Sequence, residues 1–521
     1  MGIRFHRLLF IGVVLCAALT SAGTAPARVA PRPDSKISPV LTARLAAAAP
    51  NEKMPVIIEG ADPASAAIAA HGSVGRRLEL IGGVTARIPA AAVQHLAADS
   101  RVSFVSPDSP IAFASTGPVS ASSLATIYPG RDSAGNPWSA GATGQGVGIA
   151  VIDSGVNPSP DFGSRLTQVA LDGQSGGLDD TVGHGTMVAA VAAGYSSDGR
   201  YIGIAPGANI YAINVNRAGG VYASDIITAL KWVFDNAHTY NIRVVNLSLT
   251  ETVKSSYSRS PLDLAIERLW ASGVFVTVSA GNRGPGQVDF APANDPLAFT
   301  VGAFDTMDTS GPGDDTLSTW SSSGTTVDGF AKPDLVAPGR HIAAPLSGGT
   351  MFDGLAPAAN RLGGGYATIN GTSFSAPQVA GAAAIIFQWH PDYSPDNVKW
   401  VLIAKQGPRP KNSTIGSLSL SSSYNLGGAP GRANQGVPAL VCPPNTSCLS
   451  GSAVASSWDS SSWNSSSWNS SSWNSSSWNS SSWNSTADWN SSSWNSSSWN
   501  SSSWNSTFWN SDPLSGFDPW Q

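Results

Sequence analysis

From residue 140 to residue 405 the chain alternates short apolar runs with segments that end in glycine, the pattern of a parallel sheet covered by helices. The run VGIAVI (147–152) reads as a buried strand of such a sheet, and it leads into Asp153, Ser154 and Gly155. A carboxylate therefore sits at the carboxyl end of a strand, where open α/β sheets place their sites. Alone the position is unspecific, because many strands end in Asp for turn chemistry.

Three further segments supply what a lone carboxylate lacks. GHGTMVAAVAAG (183–194) reads as a helix rich in Ala and Val, opening at His184. GTSFSAPQVAGAAAIIF (371–387) reads as a second helix that opens with Ser373. A serine hydroxyl is a poor nucleophile until a base takes its proton, and that base needs a partner to fix its tautomer. Ser373, His184 and Asp153 match those roles. VFVTVSAGNRG (274–284) reads as a strand delivering Asn282 into a glycine-flanked loop, suited to donate a side-chain amide to a developing oxyanion.

With VIDSG around Asp153, GHGTMVA around His184, SAGNRG around Asn282 and GTSFSAP around Ser373, the chain resembles the subtilisin-like serine proteases, in their Asp, His, Ser order. GIAPGA (203–208), NLSL (246–249), VGAFD (301–305) and KPDLVAPG (332–339) extend the resemblance. It implies an α/β fold, a mostly parallel sheet with helices on both faces. It also implies Ser373 as nucleophile, His184 as general base and then acid, Asp153 as orienting carboxylate, and Asn282 with the Ser373 backbone N–H as oxyanion hole. The primary substrate pocket is expected to run along Ser248, Leu249 and Thr250 and along Ser279, Ala280 and Gly281. Polypeptides are the implied substrates, no cofactor is required for the chemistry, and the optimum is expected to be neutral or alkaline because the base must start unprotonated. Calcium is the family's usual stabilising ion. Asp161 in SPDF matches a position that often helps hold it, whereas the loop YSSDGR (195–200) offers only Asp198 as a carboxylate.

The chain departs from the family pattern near the site. Phe374 follows the nucleophile where Met is usual, and Ser375 stands where Ala is common. Thr250 replaces the usual Gly after NLSL, a change that narrows the cleft. Arg283 either lies at the pocket rim, disfavouring basic side chains at the cleavage position, or is a solvated surface charge. The Gly- and Ala-rich stretch 347–365 is longer than its counterpart in compact relatives, either as a substrate loop or as a plain insertion.

The ends have other roles. Arg4, His6 and Arg7 precede a short apolar stretch (8–19) and then small residues, the layout of a secretory signal peptide; about a dozen apolar residues fall short of the ~20 that a membrane span needs. Residues 1–27 are therefore read as an export signal, and the mature chain as secreted or cell-surface associated without a membrane span. Residues 28–118, with a strand, helix, extended stretch, helix and strand over 55–108, resemble the family's inhibitory propeptide, so that the chain carries its own intramolecular inhibitor until cleavage within residues 110–123. The catalytic domain is expected over 119–412 and a linker over 413–450, in which Cys442 and Cys448 would close a small disulfide loop in an exported chain. From residue 451 the composition collapses to Ser, Trp and Asn, with twelve of the 18 Trp and a prevailing five-residue period. That period builds no apolar face on helix or strand. Residues 451–521 are thus expected to be a disordered tail, whose indoles suit contacts with a cell surface or glycans. A net charge of −5, with only 12% charged residues, leaves no basic field for a polyanion and excludes nucleic-acid binding as the main function.

Overall fold

The computed structural model describes residues 36–113, 127–171, 177–421, 423–426 and 428–441. The signal-like N-terminus, the cleavage stretch beyond Phe113, Cys442, Cys448 and the Trp-rich tail lie outside the described residues.

The N-terminal unit is an antiparallel sheet of β1 (Lys53–Gly60), β2 (Ser73–Leu78), β3 (Gly83–Pro89) and β4 (Val102–Pro107), in the order β2-β3-β1-β4. Its two faces have different partners, and this is why β1 is apolar on both. Val56 and Ile58 pack with Leu41, Ala66, Ala67, Val93 and Leu96 from helices Pro39–Ala47, Pro63–Ala69 and Val93–Ala98. Ile57, Leu78, Leu80 and Ile81 instead join the core of the larger unit. The sequence pattern misses β2 and the helix Pro39–Ala47: SVGRRL carries two arginines and a glycine, and its pairing with β3 makes it a strand. The extended stretch expected over 78–90 is broken by a turn at 79–82, where Gly82 has φ +64°.

β5 (Ile111–Phe113) leaves this unit and reaches the larger one. There β6 (Gly148–Asp153), β7 (Leu166–Val169), β8 (Asn209–Asn214), β9 (Ile242–Leu247), β10 (Leu249–Glu251), β11 (Phe275–Ser279) and β12 (Phe299–Asp305) follow in chain order. The central sheet runs β7-β8-β6-β9-β11-β12 with parallel neighbours throughout. Leu335–Pro338 adds a parallel strand beside β12, and Thr316–Leu317 a short antiparallel one. β6, β9, β11 and β12 are buried along their whole length, as continuous apolar runs require when helices cover both faces.

Helices His184–Ala193 and Thr372–Trp389 pack against each other, and the second lies along β9, β11 and β12. All ten residues of His184–Ala193 are buried, in keeping with a helix apolar all round. A second pair, Ala223–Asn236 and Pro261–Ala271, also packs together and receives the turn 79–81 of the N-terminal unit. The linker expected from residue 413 is, over its described part to residue 441, packed onto this larger unit. Leu418 and Leu420 are buried in the core, Leu418 N donates to Val336 O at 2.8 Å, and Glu267 accepts from the backbone of Leu440 and Val441. Among the described residues no helix is long and apolar enough to cross a membrane.

Candidate active site

Asp153 is the last residue of β6 and His184 the first of its helix, so the sheet end and a helix start meet. His184 Nδ1 lies 2.7 Å from Asp153 Oδ1, and both side chains are fully buried. The backbone N–H of Ser154 donates to the same oxygen at 2.7 Å, which fixes the carboxylate plane. The helix can come this close because its second residue is Gly185: a Cβ there would lie 2.1 Å from Gly155 O. Asp180, which the sequence reading leaves unassigned, shapes the loop before the histidine. Its Oδ1 accepts from Ser154 Oγ, Val182 N and Gly183 N, and its Oδ2 from Thr186 N and Oγ1. Burial raises its pKa. Its signal in the sequence is local, an Asp three residues before a glycine that opens a helix.

Ser373 sits in the first turn of Thr372–Trp389. Pro377, four residues on, has no N–H to offer the Ser373 carbonyl; Ser248 Oγ donates to it instead, at 2.7 Å. Ser373 Oγ in turn donates to Ser248 O at 3.1 Å. His184 Nε2 is buried and has no partner among the described residues, so the serine and the imidazole are neighbours in the site without a direct bond. Unliganded sites often hold such bonds long or unmade. The tautomer follows from the geometry: Asp153 accepts from Nδ1–H, which leaves Nε2 as the acceptor.

Asn282 is oriented by its own neighbours. Its Oδ1 accepts from Thr372 N at 3.0 Å and Thr372 Oγ1 at 2.9 Å, while its buried Nδ2 has no partner among the described residues. The free donor therefore lies beside the turn that carries Ser373, where a developing negative charge would be met.

Ser248, Leu249 and Thr250 lie on or just before β10, Ser279 ends β11, and Ala280 and Gly281 follow it; all six are buried. Gly281 N donates to Thr372 Oγ1 at 3.1 Å, tying this edge to the serine helix. Against β10 lies β5, antiparallel, with Ile111, Ala112 and Phe113 opposite Glu251, Thr250 and Leu249. The Phe113 ring is 5.2 Å from the His184 ring. Phe374 and Phe352 also flank the imidazole, at 5.5 and 5.9 Å. Phe352 belongs to the stretch 347–365, which forms a short helix (Met351–Leu355) clipped to the histidine loop through Met351 N to Thr181 O and Phe352 N to Val182 O. That contact was not legible in a Gly- and Ala-rich stretch.

Arg283 is half-buried. Its Nη1 donates to Thr250 Oγ1 at 2.9 Å, its Nη2 to Glu251 O at 3.2 Å, and its Cζ lies 4.0 Å from the centre of the Phe290 ring.

The residues around Asp161 do not fit a calcium ion. Tyr366 OH donates to Asp161 Oδ2, Arg165 Nη2 donates to Asp161 O at 2.8 Å, and the Tyr201 ring stacks on Tyr366 at 3.6 Å. Asp198 is engaged locally with Ser196 Oγ and Arg200 N. A phenol and a guanidinium thus take the space and charge that a cation would use.

Comparison with known proteins places this geometry in context. The family model described as Subtilase family matches residues 144–427. Serine protease AprX of Bacillus subtilis (strain 168) is 38% identical over 275 residues, spanning 50% of this chain and 61% of that protein. Subtilisin Savinase of Lederbergia lenta is 32% identical over 255 residues, covering 49% of this chain and 81% of that one. In fold, the chain is similar to fervidolysin from Fervidobacterium pennivorans, a keratinolytic enzyme related to subtilisin: the TM-score is 0.57 at 21% identity, over 73% of this chain and 61% of that one.

Proposed function

Because this chain belongs to the subtilase family of serine peptidases, we propose that it is an exported endopeptidase, made as a zymogen, that cuts polypeptides through a seryl acyl-enzyme. Ser373 Oγ attacks the peptide carbonyl while His184 Nε2 takes its proton, and Asp153 holds Nδ1–H in line and stabilises the imidazolium. The carbonyl oxygen becomes an oxyanion that accepts from Asn282 Nδ2 and the Ser373 N–H. The proton then passes from His184 to the leaving amine, the acyl-enzyme forms, and a water activated by the same imidazole releases the acid. The observation that carries the zymogen reading is β5: an extended segment of the chain's own N-terminal unit lies along β10 with Phe113 against His184, as a bound peptide strand would. Cleavage beyond Phe113, in the connection 114–123, would free the cleft. The signal-like N-terminus supports export, and the Trp-rich tail is suited to hold the enzyme at a cell surface or on glycans.

Intact mass spectrometry of the wild type beside Ser373→Ala tests the reading. The wild type is expected to lose its N-terminal unit and Ser373→Ala to keep it; equal, full-length masses for both would sink self-maturation.

A further inference from the structure

We infer that Arg283 fills the primary specificity pocket from within the protein, so that the residue before the cut bond must be small, with aromatic and basic side chains disfavoured. The inference deepens the peptidase reading and rests on it. β5 marks the path of a bound chain, with Phe113 opposite Leu249 and its ring on His184. A chain carried one residue further in that register comes opposite Ser248, whose carbonyl holds Ser373 Oγ. The side chain of that residue has to enter the slot between Ser248–Thr250 and Ser279–Gly281.

The guanidinium of Arg283 stands in this slot. It is held by Thr250 Oγ1 and Glu251 O on one wall and lies on the Phe290 ring. It also touches the other wall: a Cβ on Gly281 would lie 3.3 Å from Arg283 Nη1 and 3.8 Å from Thr250 Cγ2. The floor is fixed, since Phe290 is buried and Glu251 N donates to the carbonyl of Ala291 at 2.6 Å. An aromatic side chain would have to displace the guanidinium from two hydrogen bonds and a cation–π contact. A lysine or arginine would in addition meet a like charge. The chain's own sequence agrees, for the residue that follows Phe113 is Ala114.

The test uses the full chain after processing, with peptides that differ only in the residue before the cut bond (Ala, Phe or Lys), alongside labelling by a fluorophosphonate serine probe. The kcat/KM for Ala is expected to exceed each of the others at least about tenfold, and Arg283→Gly to raise the Phe-to-Ala ratio at least about tenfold. If Arg283→Gly does not mature, Thr250→Gly, which removes the partner of Nη1, is expected to raise the same ratio. A labelled wild type that cuts Phe or Lys peptides as well as Ala, or an unchanged ratio in the variant that folds, overturns the inference and leaves the peptidase reading intact. A wild type that neither takes the label nor hydrolyses any peptide overturns both.

Discussion

The side chain of Asn282 separates two jobs between its two atoms. Oδ1 accepts from Thr372 and anchors the loop to the serine helix, while the buried Nδ2 has no partner among the described residues and, in the proposed mechanism, meets the charge that develops during the reaction. Asn282→Asp keeps the acceptor and removes the donor. We expect kcat to fall roughly 100- to 1,000-fold, the loss known for the matching amide of subtilisin, with little change in KM. Steady-state kinetics on a small peptide, with a melting curve to verify folding, reads this out; a KM effect alone would make Asn282 a binding residue. The four motif residues were legible because their chemistry is carried by type and local sequence. Asp180 carries only a generic turn signal, and Phe352 none. Asp180 acts through bonds to residues from 154 to 186, and Phe352 through a loop that only folding brings onto His184.

At the level of elements, the loop around residues 195–202 is fastened by a side chain that comes from a distant strand. Tyr366, from the strand Tyr366–Ile369, donates to Asp161 and stacks on Tyr201. A hydrogen bond to a charged acceptor contributes ~1.5–3 kcal/mol. Tyr366→Phe should therefore lower the melting temperature by several degrees, and excess EDTA should leave the wild-type melting temperature in place. Calorimetry on enzyme inactivated at its serine avoids autolysis; a marked fall with EDTA that calcium reverses would mean that a cation binds after all. Asp161 was visible as a motif position, but its partner lies 205 residues away in the chain and carries no local signal.

For the molecule as a whole, the docking of the N-terminal unit is expected to depend on protons. Glu251 of β10 is buried at the junction, and burial first, then the charge of Asp108, pushes its pKa up to about 8, against a hydrogen bond from Ser109. Asp108, which bonds Ser224 N and Oγ, is raised to about 6, again mainly by burial. Arg76, paired with Asp225 at 2.5 Å, faces the same junction. Raised carboxyl pKa values mean that the docked state holds protons which the separated state gives up. The contribution to docking is thus complete below the ordinary carboxylate range and is lost as pH rises through about 6 and then about 8. After processing, the N-terminal unit should dissociate at least about tenfold more readily near pH 9 than near pH 5. Size-exclusion chromatography across that range measures it, and Glu251→Gln should flatten the profile. Release that is independent of pH would remove these carboxyls from the control of activation.

Local sequence by itself determined the sheet, the helices that open at His184 and beside Ser373, and the candidate identity of the site residues. Apolar runs must be buried, and residue type with local motif singles out Asp153, His184, Asn282 and Ser373 for the proposed chemistry. It also marked β5's neighbourhood as a boundary between units. Tertiary structure alone decided that β2 is a strand, that the described residues between 413 and 441 pack as part of the larger unit, and that the Arg283 guanidinium is held by Thr250, Glu251 and Phe290. Each of these outcomes rests on partners distant in sequence: β3 for β2, Val336 and Glu267 for the C-terminal segment, and Thr250 and Phe290 for the guanidinium. Hydrophobic period reports which way a residue faces, whereas the groups that meet it are fixed only when distant segments are brought together.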